Sequence, residues 1–175
     1  MFDRATAREI AGQTIPKGVR IDDEAVRELQ QGWFFPYRCT DDAVAGTQGI
    51  VVNKTTGKLF SLGSAFPVER DLVLYDAGYQ FERYDLVITR IANVERCLDT
   101  MEKLAISIVE PEVEHGRVWK IPRALTRKEL RARLARLPCV FGNQALYFHA
   151  DKLERARAEK TFQFEFSEFR SAEIH

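Results

Sequence analysis

The chain has 175 residues, 45% hydrophobic and 30% charged, with 12 phenylalanines, enough to build one well-filled domain, or one domain with a structured extension. Its 26 basic and 26 acidic side chains balance to zero, which argues against a general nucleic-acid binder. No apolar run approaches the ~20 residues a membrane helix needs, and the start MFDRATAREIAG carries no secretory h-region, so a cytoplasmic protein with no membrane partner is expected.

Taken in order, residues 3–11 predict a short amphipathic helix capped by Asp3 and stopped at Gly12. Asp22 predicts a second helix, with Ile21 and Val26 as a hydrophobic staple, burying Val26 and Leu29 and ending at Gly32. Trp33–Tyr37 reads as a strand, with Pro36 marking an edge or an end. Ile50–Val52 and Leu59–Leu62 predict a hairpin around the Thr56-Gly57 turn. Pro67 suits the first turn of a helix whose inward face is Val68, Leu72 and Tyr75 and whose stop is Gly78. Tyr84–Ile91 is an apolar strand.

Asn93 caps a third helix with Val94, Cys97, Leu98, Met101 and Leu104 on one face. Ala105–Val109 and Arg117–Ile121 read as strands joined by an acidic turn containing Glu110, Glu112 and Glu114 and ending at Gly116. Thr126 and Glu129 form a capping box, with Leu125 and Leu130 in staple positions and Leu130, Leu134 and Leu137 facing inward. Cys139–Phe141 and Ala145–Phe148 read as strands about a Gly-Asn turn, Asp151–Glu159 as a helix, and Phe162, Phe164 and Phe166 as an alternating last strand. The expected fold is α+β: a mostly antiparallel sheet with helices packed on one side. The expected division is 1–92 and an extension 93–175 that continues the sheet or forms a small second layer, with a single domain 1–175 as the alternative.

The chemistry-bearing residues are sparse. Cys39, Cys97 and Cys139 show no CxxC spacing, so neither a zinc site nor a disulfide framework is expected, and no cofactor or metal is implied. Cys97 is a core residue on its helix face. Cys139 and His149 invite comparison with a nucleophilic dyad, but such a dyad needs hydrogen-bond reach and an orienting group, and Asp151 is more simply a helix cap. No Walker A, GxGxxG, GxSxG or HExxH sequence occurs. Two charge features stand out as candidate partner-binding residues. One is the loop pair Asp41 and Asp42. The other is the run from Arg117 to Arg136, with eight basic residues against one acid, a surplus of +7, including Arg117, Arg123, Arg127 and Arg131. Only Trp119 is interleaved there, too few aromatics for a nucleic-acid surface; the open readings are a solvated helix face or an acidic protein partner.

From about Ile21 to Ile91 the chain resembles the immunity protein 35 (YrhB-like) family of bacterial polymorphic toxin systems. The resemblance rests on a leading helix, Trp33-Phe34-Phe35-Pro36-Tyr37, the Gly46–Gly57 hairpin segment, and Gly63-Ser64-Ala65-Phe66-Pro67-Val68-Glu69 leading into a helix with Tyr75. It implies a small non-catalytic protein that binds a cognate toxin domain and occludes it, with a basic face to steer association. A small-ligand or scaffold domain is the alternative, and residues 93–175 lie outside the likeness.

Overall fold

A computed structural model describes residues 1–39 and 46–170. The chain divides into two compact units, Met1–Gln80 and Phe81–His175. The strand 84–91, expected in the first division, belongs to the second.

In the first unit, helix α1 (Arg4–Gly12) is capped by Asp3, whose carboxylate accepts from the Thr6 N–H. Strands β1 (Val19–Ile21), β2 (Arg27–Glu28), β3 (Gly32–Cys39), β4 (Thr47–Asn53) and β5 (Leu59–Gly63) form one antiparallel sheet, and helix α2 (Val68–Asp76) follows. β1 and β2 both pair with one side of β3, and β4 with the other. β3 is therefore internal. Pro36 is tolerated there because β1 pairs only Tyr37–Cys39 and β2 only Trp33–Phe34, so Pro36 falls in the gap between them.

Gly49–Asn53 of β4 is buried without alternation, the pattern of a strand covered on both faces. Phe35, Ile50 and Val52 pack with Ala7 and Ala11 of α1. Phe34, Val51 and Leu62 pack with Leu72 and Tyr75 of α2. The two helices thus cover opposite faces of this sheet, where one-sided packing was expected.

The helix expected from Asp22 to Gly32 does not form; turns and β2 stand in its place. The would-be capping carboxylates are used elsewhere, Asp22 on Arg38 at 2.6 Å and Asp23 on Arg8 at 2.6 Å. Asp76 accepts from the N–H groups of Gln30 and Gln31, both at 3.0 Å. Buried Lys54 donates to Glu28 at 2.7 Å and to the Leu29 carbonyl at 2.5 Å. These partners claim backbone groups that a helix would have to use internally, so pairing with β3 prevails over local propensity.

In the second unit the chain runs β6 (Tyr84–Ile91), α3 (Val94–Lys103), β7 (Ser107–Glu114), β8 (Arg117–Ala124), α4 (Arg127–Leu134), β9 (Cys139–Gln144), α5 (Ala150–Ala158) and β10 (Phe162–Glu168). A three-stranded antiparallel sheet has the order β10-β6-β9. Tyr84, Leu86 and Ile88 alternate into its buried side, as do Phe162 and Phe164. α3 buries Cys97, Leu98 and Met101, α4 buries Leu130 and Leu134, and α3 packs beside both α4 and α5. Residues 146–149, expected as a strand, are a 3₁₀ turn, and Leu137, expected inward, is exposed. β7 and β8 form a separate two-stranded sheet. Each sheet lies wholly within one unit.

Candidate protein-binding surface

β7 and β8 are longer than expected, because the glutamates at 110, 112 and 114 lie within β7 and are not part of the turn. The turn is His115-Gly116 alone, both with positive φ, 50° and 74°, the twist-matched two-residue hairpin geometry that favours glycine. Register runs without a slip from Ser107↔Ala124 to Glu114↔Arg117. Every residue from Val109 to Pro122 is exposed.

Residues directly opposite in an antiparallel pair share a face, so the register sorts the ribbon into two. One face carries Val109, Pro111, Val113, Val118 and Pro122, with Lys120 among them. The other carries Glu110, Glu112, Glu114, Arg117 and Arg123, with Trp119 and Ile121. Val113 and Val118 face each other across the ribbon at 71% and 66% exposure, and Trp119 is half exposed. Apolar and aromatic side chains held outward on a short sheet, rimmed by charge, have the make-up of a protein-docking patch.

The prolines define how such a patch is used. Opposed pairs alternate between hydrogen-bonded and non-bonded, and proline fits only where its missing N–H would point outward. Pro111 and Pro122 both lie on the Val113/Val118 face, one in each strand. Each outer edge of the ribbon therefore lacks a donor near its middle, which blunts strand addition there and leaves the faces as the contact surface.

The ribbon is fastened at its base. Gln144, 4% exposed, accepts from the Ser107 N–H at 3.0 Å and donates to the Ser107 carbonyl at 2.8 Å. Its carboxamide acts as a one-residue strand partner. Replacing Gln144 with alanine strands both backbone groups, and the expected cost is about 1–3 kcal/mol, read as a lower unfolding midpoint together with faster amide exchange at Ser107. Arg123 supplies a second tie, pairing with Glu110 at 2.7 Å and with Glu129 at 2.8 Å. Glu129 completes the α4 capping box with Thr126.

Much of the basic run is engaged in ion pairs within the unit. Arg123 is held between two carboxylates, Arg127 pairs with Glu95, Asp99 and Glu102, and Arg131 shares Glu95 at 2.7 Å. These three predicted partner-binding residues tie α4 to α3 and to the ribbon while staying partly exposed. Of the four, Arg117 stands at the ribbon's tip and Arg123 at its base. Asp41 and Asp42 lie outside the described residues. The sequence reading missed Val113 and Val118; their alternation on either side of His115-Gly116 was the available signal.

The ion pairs carry a pH dependence. Arg123, then the Thr126 N–H, hold Glu129 down to about 2 from its ordinary 4.5; Arg127, then Arg131, lower Glu95, and Arg123 lowers Glu110. A carboxylate depressed in the folded state stabilises fully above its unfolded pKa and loses that contribution as pH falls through the folded one. The melting temperature is therefore expected to drop between about pH 4.5 and about 2, and Glu129→Gln to flatten that slope; parallel acid titrations of the two proteins check it.

Cys139 and His149 are not joined by a hydrogen bond among the described residues. The His149 Nδ1 lies 3.3 Å from Lys152 Nζ, and burial, then Lys152, lowers its pKa. Burial raises the Cys139 thiol, and pushes Cys97 up to about 12 with help from Cys139, so both thiols stay protonated at neutral pH. No helix is long and apolar enough to cross a membrane among the described residues. No family model, curated protein or solved structure matches the chain.

Proposed function

We propose that this chain is a protein-binding module of the immunity type, which occludes a cognate toxin domain by docking the β7–β8 ribbon against it. The observation that carries the reading is the largely exposed Val113/Val118 pair on a ribbon whose base is pinned by Gln144 and Arg123 and whose edges are blunted by proline. A pinned ribbon loses little conformational freedom on binding, so more of its contact energy appears as affinity. Valines and Trp119 supply anchors, while Arg117, Lys120 and the β7 glutamates form a charged rim suited to steering and register. The resemblance over about 21–91, less its leading helix, which does not form, supports the toxin as the kind of partner; the ribbon lies beyond that stretch and would carry specificity for one toxin.

The test is co-expression with a toxin domain encoded immediately upstream of this chain's gene. Rescue of growth and recovery of a stoichiometric complex are expected. Continued killing, with no complex recovered, would overturn the reading.

A further inference from the structure

A second surface feature of the Phe81–His175 unit lies away from the ribbon residues, and its chemistry differs. A cleft of about 720 Å³ is walled by Arg90, Arg157, Lys160, Phe162, Gln163 and Phe164, a volume within the range of small-molecule sites. Its residues come from β6, β10 and the end of α5.

Local structure explains why three cations converge there. The β6–β10 register shifts between Gln163 and Phe164, so that Gln163 faces Arg90 while Phe164 faces Ile88. A bulge of this kind puts two successive residues on one side of a strand. It turns Thr89 and Arg90 together to the solvent side while Ile88 stays buried. Lys160 has φ 53°, the left-handed residue that ends α5; the Thr161 N–H reaches back to the Ala156 carbonyl at 3.0 Å and the Lys160 N–H to Arg157 at 3.1 Å. These bonds occupy helix-end carbonyls that would otherwise repel an anion. Arg157 is held in place, its Nη1 donating to both carboxylate oxygens of Glu154 at 2.7 and 2.8 Å and its guanidinium stacked over Phe164 at 4.6 Å. Ala92, also in the wall, leads into the N-cap of α3, whose positive end adds to the field.

Arg90 and Lys160 have no carboxylate partner among the described residues, in contrast to Arg123, Arg127 and Arg131, which are all paired. A cleft with one fixed guanidinium and two unpaired cations concentrates positive potential over a small volume. From this juxtaposition we infer that the cleft binds a small oxyanion carrying two or more negative charges, a phosphate ester or a polycarboxylate, with Arg90 and Lys160 as its direct ligands. Guanidinium forks match both oxyanion types bidentately, and the lysine adds a point charge. The inference stands independently of the ribbon.

Isothermal titration of the full chain with inorganic pyrophosphate and, separately, with citrate tests it. Saturable one-site binding of at least one probe is expected, and the tighter probe identifies the source of the charge. Arg90→Ala with Lys160→Ala is expected to weaken that binding at least tenfold, while Arg133→Ala with Arg136→Ala, exposed in the last turn of α4 and just past its end, leaves it unchanged. Both double variants alter exposed side chains, and circular dichroism melts verify that each is folded. Absence of saturable binding of either probe, or equal weakening by the two double variants, would overturn the assignment.

Discussion

Replacing Gly49 with alanine is expected to destabilise the Met1–Gln80 unit by about 3 kcal/mol, the upper part of the range for overpacked cores. A Cβ at this position would lie 2.5 Å from a ring carbon of Phe34 and 2.6 Å from the carbonyl oxygen of Phe35. The Phe34 ring is 2% exposed and packed among Val51, Leu62, Leu72 and Tyr75, so it has nowhere to retreat. The Phe35 carbonyl belongs to β3, which pairs directly with β4 at Pro36↔Gly49. Relief therefore requires the two central strands to part. Gly63→Ala is the control, because nothing lies within 4 Å of its added carbon, and its effect should stay within about 0.5 kcal/mol. Denaturant unfolding followed by Trp33 fluorescence in a Trp119→Phe background isolates this unit, since the chain has two tryptophans. An unfolding midpoint for Gly49→Ala equal to that of Gly63→Ala would refute the packing argument.

The second large effect concerns binding. Val113→Asp combined with Val118→Asp is expected to weaken the proposed toxin complex by about 2–4 kcal/mol, roughly thirty- to several-hundred-fold. The two side chains are opposed on one face and mostly exposed, so the melting temperature of the free protein should barely move. Two carboxylates placed side by side there would be desolvated at the centre of the docked patch without a partner. An affinity that survives the double substitution would place the contact elsewhere. Arg117→Glu at the ribbon's tip should act mainly on the association rate and its salt dependence, as rim charges do.

How much of this was legible beforehand varied with how local the cause was. The caps at Asp3, Asn93 and Thr126/Glu129 depend on residues three apart in sequence, and all three start helices as their spacing predicts. The Gly57 hairpin and the helix after Pro67 are equally local. The antiparallel α+β class followed from these elements. The segment from Asp22 to Gly32 misled because its fate is decided by Arg8, Arg38, Lys54 and Asp76, up to 46 residues away. The ion pairing of the basic run was hidden in the same way. Its charge was plain, but the glutamates that neutralise Arg127 and Arg131 sit on α3, some 30 residues earlier, where sequence distance hides them. The ribbon was half visible. Its strands were expected, but the glutamates drew attention to a turn, and the placing of Val113 and Val118 on either side of His115-Gly116, a two-residue turn that sets them opposite each other, was passed over.

The central claim is that the ribbon from Ser107 to Ala124 is the surface that meets the partner. Hydrogen–deuterium exchange of the full chain, alone and with the toxin domain bound, addresses it residue by residue. The account predicts slowed exchange concentrated in residues 107–124, strongest around Val113–Trp119. Slowing confined to other segments, with the ribbon exchanging as fast in the complex as in the free protein, would contradict it.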